Sequence, residues 1–405
     1  MRIAIVCSKY ALEEKNAWLT NDLAYAYRDL GHEVFIYCLA WSGEQPSQNY
    51  TDNRGIVINY ISQPNWQKMF GKKLGIVVKW FFSSWWASRK INVPDKNIDL
   101  LIYFSPAVTT VGIVAKLKKY SSKVVMILWD FFPQYHQELN LLPNNSFIIN
   151  VAKKQEQYAV NKANLVGLMT PKNIRFMNEY FPHSNQQKRV VIQLWGPNPL
   201  AITNLAEKLI LKRQWPQLDS QKIWAVMGGQ MIPGRGFELL LNVAALSEKL
   251  DNQINFVVAG DGILKQWFLE KMQEKQLTNV NYVGSLSRDK YFALLQAADI
   301  GLVFNSGHVS VPTFASKSID YLRAAIPLLV AIEPASDAGI IIEEEMQAGY
   351  NCDVNNPNDI VDKLMFLAEN PLVRQMMGNN GYDYFMKNMT ANKIAEKIVS
   401  ESGLQ

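Results

Sequence analysis

Short, unbroken apolar runs recur along this chain, and helical stretches separate many of them. Arg2 to Cys7, Glu33 to Leu39, Asp99 to Tyr103, Lys123 to Leu128, Leu165 to Met169 and Val190 to Leu194 form one series. Ala17 to Leu30, closed by Gly31, is the amphipathic stretch between the first two. Runs that do not alternate with polar residues are strands covered on both faces, so the pattern predicts a parallel sheet with helices on each side. The pattern breaks at Trp195-Gly196-Pro197-Asn198-Pro199, and a polar, charged helical stretch continues to Gln221. A second series follows: Ile223 to Gly228, Asn255 to Ala259, Val280 to Val283, Ile300 to Phe304 and Leu328 to Ala331. A chain of 405 residues, 48% hydrophobic and 19% charged, is long enough for two globular cores. The expectation is therefore an α/β protein of two Rossmann-like domains with a hinge between about 197 and 220. The ligand is expected in the crevice at the carboxyl ends of both sets of strands. The expected boundaries are 1–197, 198–385 and a C-terminal helical piece, 386–405, that crosses back to the first domain.

Composition excludes several classes. The net charge of +5 is modest and its cations are widely spread, so nothing demands nucleic acid. Cys7, Cys38 and Cys352 are odd in number and fit no metal-site spacing, so buried free thiols in a reducing cytosol are expected. The first residues run straight into a strand, and no stretch is apolar and long enough to span a bilayer. His and Cys are too scattered for zinc, and no Asp-x-Asp pair occurs. The chemistry is expected to use neither a metal nor a cofactor.

The segment Gly307 to Leu322 points most directly to a ligand. It leaves a buried strand, passes through small and polar residues, and enters a helical pattern that stops before Ile326-Pro327. Free N–H groups at such an entrance, including those of Phe314, Ala315 and Ser316, suit an anion. Lys317 adds a full charge, and Asp320 is placed to accept hydrogen bonds from a ribose diol. A Ser-capped helix with a solvated Lys and Asp is the plainer alternative. The glycine-rich turn from Gly228 and Gly229 to Gly236 lets backbone approach a ligand closely, and Arg235 sits where its fork can hold phosphate oxygens. A surface Arg on an ordinary strand-to-helix turn fits the same residues. Gly260-Asp261-Gly262 reads more as a structural turn than as a cofactor loop, because the full glycine fingerprint is missing. The backbone at Val283 is suited to read a base edge.

In the first domain, Asp130 follows a strand and reads equally as a crevice contact or as a turn or cap residue. His136 shares its loop. The loop from Ser8 and Lys9 through Glu13, Glu14, Lys15 and Asn16 also opens at a strand's carboxyl end and is suited to the second substrate. Trp66 to Lys90 interleaves Trp66, Trp80, Trp85 and Trp86 with Lys68, Lys72, Lys73, Lys79, Arg89 and Lys90, with no acid between them. Aromatic and basic residues together suit an anionic membrane interface, and a core helix with a basic face is the competing reading.

Taken together these segments resemble the GT-B glycosyltransferases of family 4. The resemblance covers nearly the whole chain and is strongest from Ile223 to Ala331. The motifs that carry it are Gly229-Gln230-Met231 with Arg235-Gly236, Ala259-Gly260-Asp261-Gly262, Val280 to Gly284, Ala298-Asp299, and Pro312 to Asp320 followed by Ala325-Ile326-Pro327. Gly31-His32-Glu33-Val34 and Trp129-Asp130 match the first domain's pattern. The Ser316-Lys317 pair is similar to a branch that builds bacterial O-antigens and capsules. The chain departs from the family at three places: Pro312 stands for the first Glu of its signature, Gln230 for an Arg, and Trp129 for a His.

The resemblance implies sugar transfer from a nucleotide-sugar to a hydroxyl with retention of configuration. It assigns catalysis to Arg235, Lys317 and Asp130. Donor binding falls to Gly229, Gln230, Gly260, Val283, Phe314, Ala315, Ser316 and Asp320. Acceptor binding falls to Lys9, Glu13, Asn16 and His136. The acceptor is expected to be a lipid-linked saccharide, with the protein peripheral on the inner face of the cell membrane. Rival readings are a catalytically silent subunit, which Pro312 and Gln230 favour, and a sugar-nucleotide epimerase, which would need an acid and base pair. A dehydrogenase would need the missing glycine fingerprint.

Overall fold

The structure is a computed structural model. It describes residues 1–13, 16–40, 47–93, 95–142, 145–184, 187–250 and 253–404, without the side chains of 72, 73, 76 and 205. The chain forms two compact units, Met1–Pro197 with Ala391–Gln405, and Asn198–Thr390. The changeover after Pro197 falls at the start of the expected hinge, and the return falls at Ala391, a few residues later than 386.

The first unit holds an eight-stranded sheet. Its strands are β1 (Arg2–Cys7), β2 (Glu33–Leu39), β3 (Gln48–Thr51), β4 (Val57–Ile61), β5 (Ile98–Phe104), β6 (Ser121–Leu128), β7 (Leu165–Leu168) and β8 (Lys188–Val191). The order is β3-β4-β2-β1-β5-β6-β7-β8. Every pair is parallel except β3 with β4. Central strands are buried over nearly their whole length because helices cover both faces. One such helix, Leu19–Asp29, turns Leu23 and Tyr27 into the core, where they meet Ile394 and Ile398 of the final helix, Ala391–Ser402.

The second unit holds a parallel sheet of β9 (Ile223–Gly228), β10 (Ile254–Ala259), β11 (Val280–Gly284), β12 (Ile300–Phe304), β13 (Leu328–Ala331) and β14 (Gly349–Asn351). Its order is β11-β10-β9-β12-β13-β14, so the order reverses between β9 and β12. The helix Leu205–Lys212 is fixed to this sheet by a buried ion pair, Lys212 Nζ to Asp299 Oδ2 at 2.6 Å. The same Asp299 oxygen accepts from the Trp224 N–H (2.8 Å). With a cation and a backbone N–H on one carboxylate oxygen, the pair is tolerable away from water. The chain ends in two helices, Pro371–Asn388 and Ala391–Ser402, and it changes units in the break between them.

All three cysteines are free and buried. Among the described residues no group of three or more His, Cys, Asp or Glu side chains could hold a metal ion. No helix among them is long and apolar enough to cross a membrane.

Candidate functional site

In the second unit the glycine turns converge because neighbouring strands end together. The Gly229 N–H donates to the Ala259 carbonyl (3.0 Å) and the Gly260 N–H to the Gly284 carbonyl (2.9 Å). The loops after β9, β10 and β11 therefore stand side by side. Gly260 has φ +154°, and a Cβ there would fall 1.9 Å from the Gly229 carbonyl oxygen. Only glycine permits the approach. Gly236, at φ +68°, also passes close to Phe304, at the end of β12, where a Cβ would come within 2.6 Å. That contact sets the path of the Arg235 loop, and the Ser306 N–H bonds the Gly234 carbonyl (2.9 Å) beside it.

Lys317 reaches the same place from the other side of the strand-order reversal. Its Nζ donates to the Phe304 carbonyl (3.3 Å). Burial and the repulsion of Arg235 push its ammonium down to about 7. Among the described residues no carboxylate opposes that shift. Among the described residues neither Arg235 nor Lys317 forms an ion pair, and the Arg235 side chain has no hydrogen-bond partner. Two adjacent cations without an acid are a cost to the folded chain unless an anion joins them. The backbone N–H groups of Phe314, Ala315, Ser316 and Lys317 likewise find no acceptor among the described residues. The helix they open, Lys317–Arg323, has seven residues and no side-chain cap. The anion preference thus comes from the two side chains and the open amides rather than from a long helix dipole.

The helix is clamped from below. The Tyr321 hydroxyl accepts from the Gly228 N–H (3.2 Å) and bonds the Val226 carbonyl (3.0 Å). Its ring lies over Gly301, where a Cβ would come within 2.4 Å. Asp320 is not an open carboxylate. Its Oδ1 accepts from Arg323 Nη1 at 3.0 Å, and Arg323 in turn donates to the Asn198 carbonyl (2.7 Å). Burial raises the Asp320 carboxyl and Arg323 opposes that shift. A residue absent from the sequence reading supports the loop: buried Glu333 accepts from the Thr313 N–H (3.1 Å), the Thr313 hydroxyl and Asn305 Nδ2 (3.3 Å). Gln230 and Gly229 are exposed, and Val283 is half-buried.

In the first unit, Lys9 lines a cavity of about 50 Å³ together with Trp129 and Ser105. Lys9 Nζ rests 3.8 Å over the Trp18 ring, and burial lowers its ammonium. The Trp129 and Asp130 N–H groups both donate to Ser105 Oγ (2.8 and 3.0 Å). Asp130 is half-buried. His136 sits on the short helix Gln134–Glu138 against the edges of Phe132 and Tyr135, and burial lowers its pKa while Asp130 opposes. Glu13 and Asn16 are exposed and touch each other at 3.4 Å. Glu14 and Lys15 lie outside the described residues.

The aromatic and basic segment forms two helices, Trp66–Phe70 and Lys72–Lys90. Of the tryptophans expected at a membrane surface, Trp66, Trp80, Trp85 and Trp86, not all are exposed. Trp80 is 9% exposed and packs with Val108, Phe132 and Ala152. Trp66 and Trp86 meet edge to face, 6.4 Å apart, and Trp86 Nε1 donates to the Ser62 carbonyl (3.3 Å). Trp85 is the exposed one, with Leu74 and Phe82 on the same stripe and Arg89 stacked on it at 3.7 Å. The reason is the helical period: positions 80 and 85 lie on different faces of one helix. Lys79 is buried beside Trp80, and the Lys72 and Lys73 side chains lie outside the described residues.

Residues 210–384, which contain Arg235, Lys317 and Asp320, match the family model Glycosyl transferases group 1. The fold is GT-B. Sucrose-phosphate synthase from Thermosynechococcus elongatus superposes with a TM-score of 0.69 at 12% identity, covering 98% of this chain and 97% of that one. Anabaena HepE, solved in complex with UDP, superposes with a TM-score of 0.67 at 14% identity and 99% coverage of both. In sequence, a poly(ribitol-phosphate) alpha-N-acetylglucosaminyltransferase of Staphylococcus aureus is 24% identical over 170 residues. That match covers 42% of this chain and 33% of the relative. An uncharacterized glycosyltransferase of Methanocaldococcus jannaschii is 23% identical over 162 residues, 39% of this chain and 42% of the relative. The chain thus matches well under half the length of these curated relatives.

Proposed function

We propose that this GT-B protein is a retaining, metal-independent glycosyltransferase of the family 4 type, and that its second unit holds the nucleoside diphosphate of a sugar donor. The observation that carries this reading is the pairing of Arg235 and Lys317 without a carboxylate, beside open amides and close-packed glycine turns. During transfer the bond from the anomeric carbon to the β-phosphate oxygen breaks, and a bond from that carbon to the acceptor oxygen forms on the same face. The acceptor's proton passes to the departing phosphate, so no side-chain base is required. Negative charge grows on the phosphate, where Arg235 and Lys317 stabilise it. Removing one such group costs about 2.7–4 kcal/mol, a loss of about 10²–10³ in kcat. Asp320 orients the ribose through the oxygen not bound to Arg323. Asp130 is the third residue of this catalytic assignment, and His136 belongs to the acceptor side.

A thermal-shift screen against UDP, GDP, dTDP and CMP tests the reading, since a ligand of the folded state raises its stability. Stabilisation by at least one diphosphate, lost in Arg235→Ala and Lys317→Ala, supports it. No response to any of them removes it. A silent subunit, which Gln230 and Pro312 favour, would bind the diphosphate yet release none from pooled sugar donors with membrane extract.

The acceptor we favour is a lipid-linked saccharide of a bacterial surface polymer, reached at the cytoplasmic membrane face. Leu74, Phe82 and Trp85 are 56%, 52% and 53% exposed, and Met69 and Phe70 add 62% and 46%. Lys68, Arg89 and Lys90 flank them, and the segment contains no acid. Exposed apolar residues rimmed by cations suit an anionic bilayer surface.

A further inference from the structure

We infer that the cavity at the carboxyl ends of β1, β5 and β6 seats an anionic group, a phosphate or a carboxylate, carried by the acceptor. Two of the residues that line this cavity, Trp129 and Lys9, carry donors with no acceptor among the described residues. Trp129 Nε1 is buried and has no hydrogen-bond partner. Its ring cannot turn to find one, because Phe104 stacks on it at 4.6 Å and Trp195 packs against it at 5.6 Å. Lys9 holds its ammonium over the face of Trp18 and has no carboxylate partner among the described residues. Three of the lining hydroxyls do not change the sign. Thr20 donates to the Lys9 carbonyl (2.6 Å) and Thr110 to the Ala107 carbonyl (3.3 Å). Ser105 Oγ accepts from two backbone N–H groups and keeps its own proton free to donate. Among the described residues no acidic side chain lines the space.

A buried indole N–H without a partner costs about 1–3 kcal/mol. A fixed donor of this kind is retained most readily where a ligand supplies the acceptor. A neutral sugar hydroxyl would satisfy Trp129 but leave the Lys9 charge unpaired. An anion satisfies both, and at about 50 Å³ the cavity has room for one small group rather than a sugar ring. Charge-assisted hydrogen bonds from two directions would also fix the acceptor's orientation. Calling the ligand an acceptor rests on the glycosyltransferase reading, whereas the anion preference rests on the cavity alone.

The test follows the indole N–H resonance of Trp129 in the full-length chain, assigned by its absence in Trp129→Phe. Saturating diphosphate is present so that the second unit's cations are occupied. The probes are inorganic phosphate, acetate and glucose. Phosphate or acetate should shift the resonance saturably, glucose should not, and Lys9→Met should weaken the effect at least tenfold while leaving diphosphate binding unchanged. The tighter of phosphate and acetate names the class of anion. Equal titration by glucose, no shift with either anion, or an undiminished response in Lys9→Met would overturn the inference. Failure of the glycosyltransferase reading would appear separately, as a wild-type chain that binds no diphosphate.

Discussion

The Lys317 ammonium gives the donor site a pH signature that can be worked out from the structure. Burial and Arg235 push it down to about 7, from an ordinary value of 10.5. A bound diphosphate places negative oxygens against it and restores its charge, so binding is coupled to proton uptake. The second ionisation of a phosphate lies near pH 6, so the ligand is fully charged above pH 7. Between pH 7 and 9 the protonated fraction of free Lys317 falls from about one half to about one hundredth, and the apparent Kd rises about fiftyfold. At pH 8 about 0.9 proton is taken up per diphosphate bound. Calorimetric titration in buffers of different ionisation enthalpy reads both numbers. Lys317→Arg keeps a charge that does not titrate in this range and should flatten the profile. A wild-type Kd that is flat from pH 7 to 9, or a slope that survives in Lys317→Arg, would refute the reasoning.

Other consequences are as specific. The folded chain binds the Lys317 proton less tightly than the unfolded chain does, so stability rises with pH between about 7 and 10.5. Lys317→Met should therefore raise Tm at pH 7 while abolishing diphosphate binding, and a fall in Tm would contradict the placement. Glu156 titrates in the opposite sense: it is fully buried, its oxygens accept from the Ala107 N–H (2.9 and 3.2 Å), and burial raises its pKa to about 8. The folded state holds that proton more tightly, so stability falls as pH rises from about 4.5 to 8, by at most about 1.4 kcal/mol per unit. Denaturant titrations of Glu156→Gln should lack that slope, and an identical pH profile would count against it. Gly236→Ala forces a Cβ onto Phe304 at positive φ and should displace the Arg235 loop, weakening diphosphate binding more than tenfold. Wild-type affinity would show that the loop path does not matter. Phe82→Ser with Trp85→Ser should leave Tm within a degree or two and abolish co-sedimentation with anionic vesicles, whereas unchanged sedimentation would remove the membrane surface.

Much of the fold was legible because its main strands are fully buried and read as unbroken apolar runs. The strands that escaped were β3, β4 and β14. Gln48–Thr51 is polar and mostly exposed, Val57–Ile61 is interrupted by Asn59, and Gly349–Asn351 has three residues. None offers a periodicity to read. The break between the last two helices carries no proline or glycine, and packing in the first unit sets it. At the site, Arg235 and Lys317 were legible as cations next to glycine or small residues at strand ends. Their lack of an acidic partner among the described residues was not, because it depends on what the fold leaves out. Asp320 showed the reverse: Arg323 three residues on was visible in the sequence, yet the salt bridge that limits the carboxylate was not drawn from it. Glu333 could not be found by spacing, since it meets Thr313 and Asn305 only across strand ends. Trp129, read as a departure from a family pattern, gained meaning from a buried N–H whose lack of a partner only the folded structure shows.

The most direct measurement is calorimetric titration of nucleoside diphosphates into the wild-type chain and into the Arg235→Ala, Lys317→Ala double variant at pH 7. Saturable binding of at least one diphosphate, weakened at least a hundredfold in the double variant, is the predicted result. Equal affinity in both proteins, or no binding of any diphosphate to the wild type, would contradict the account.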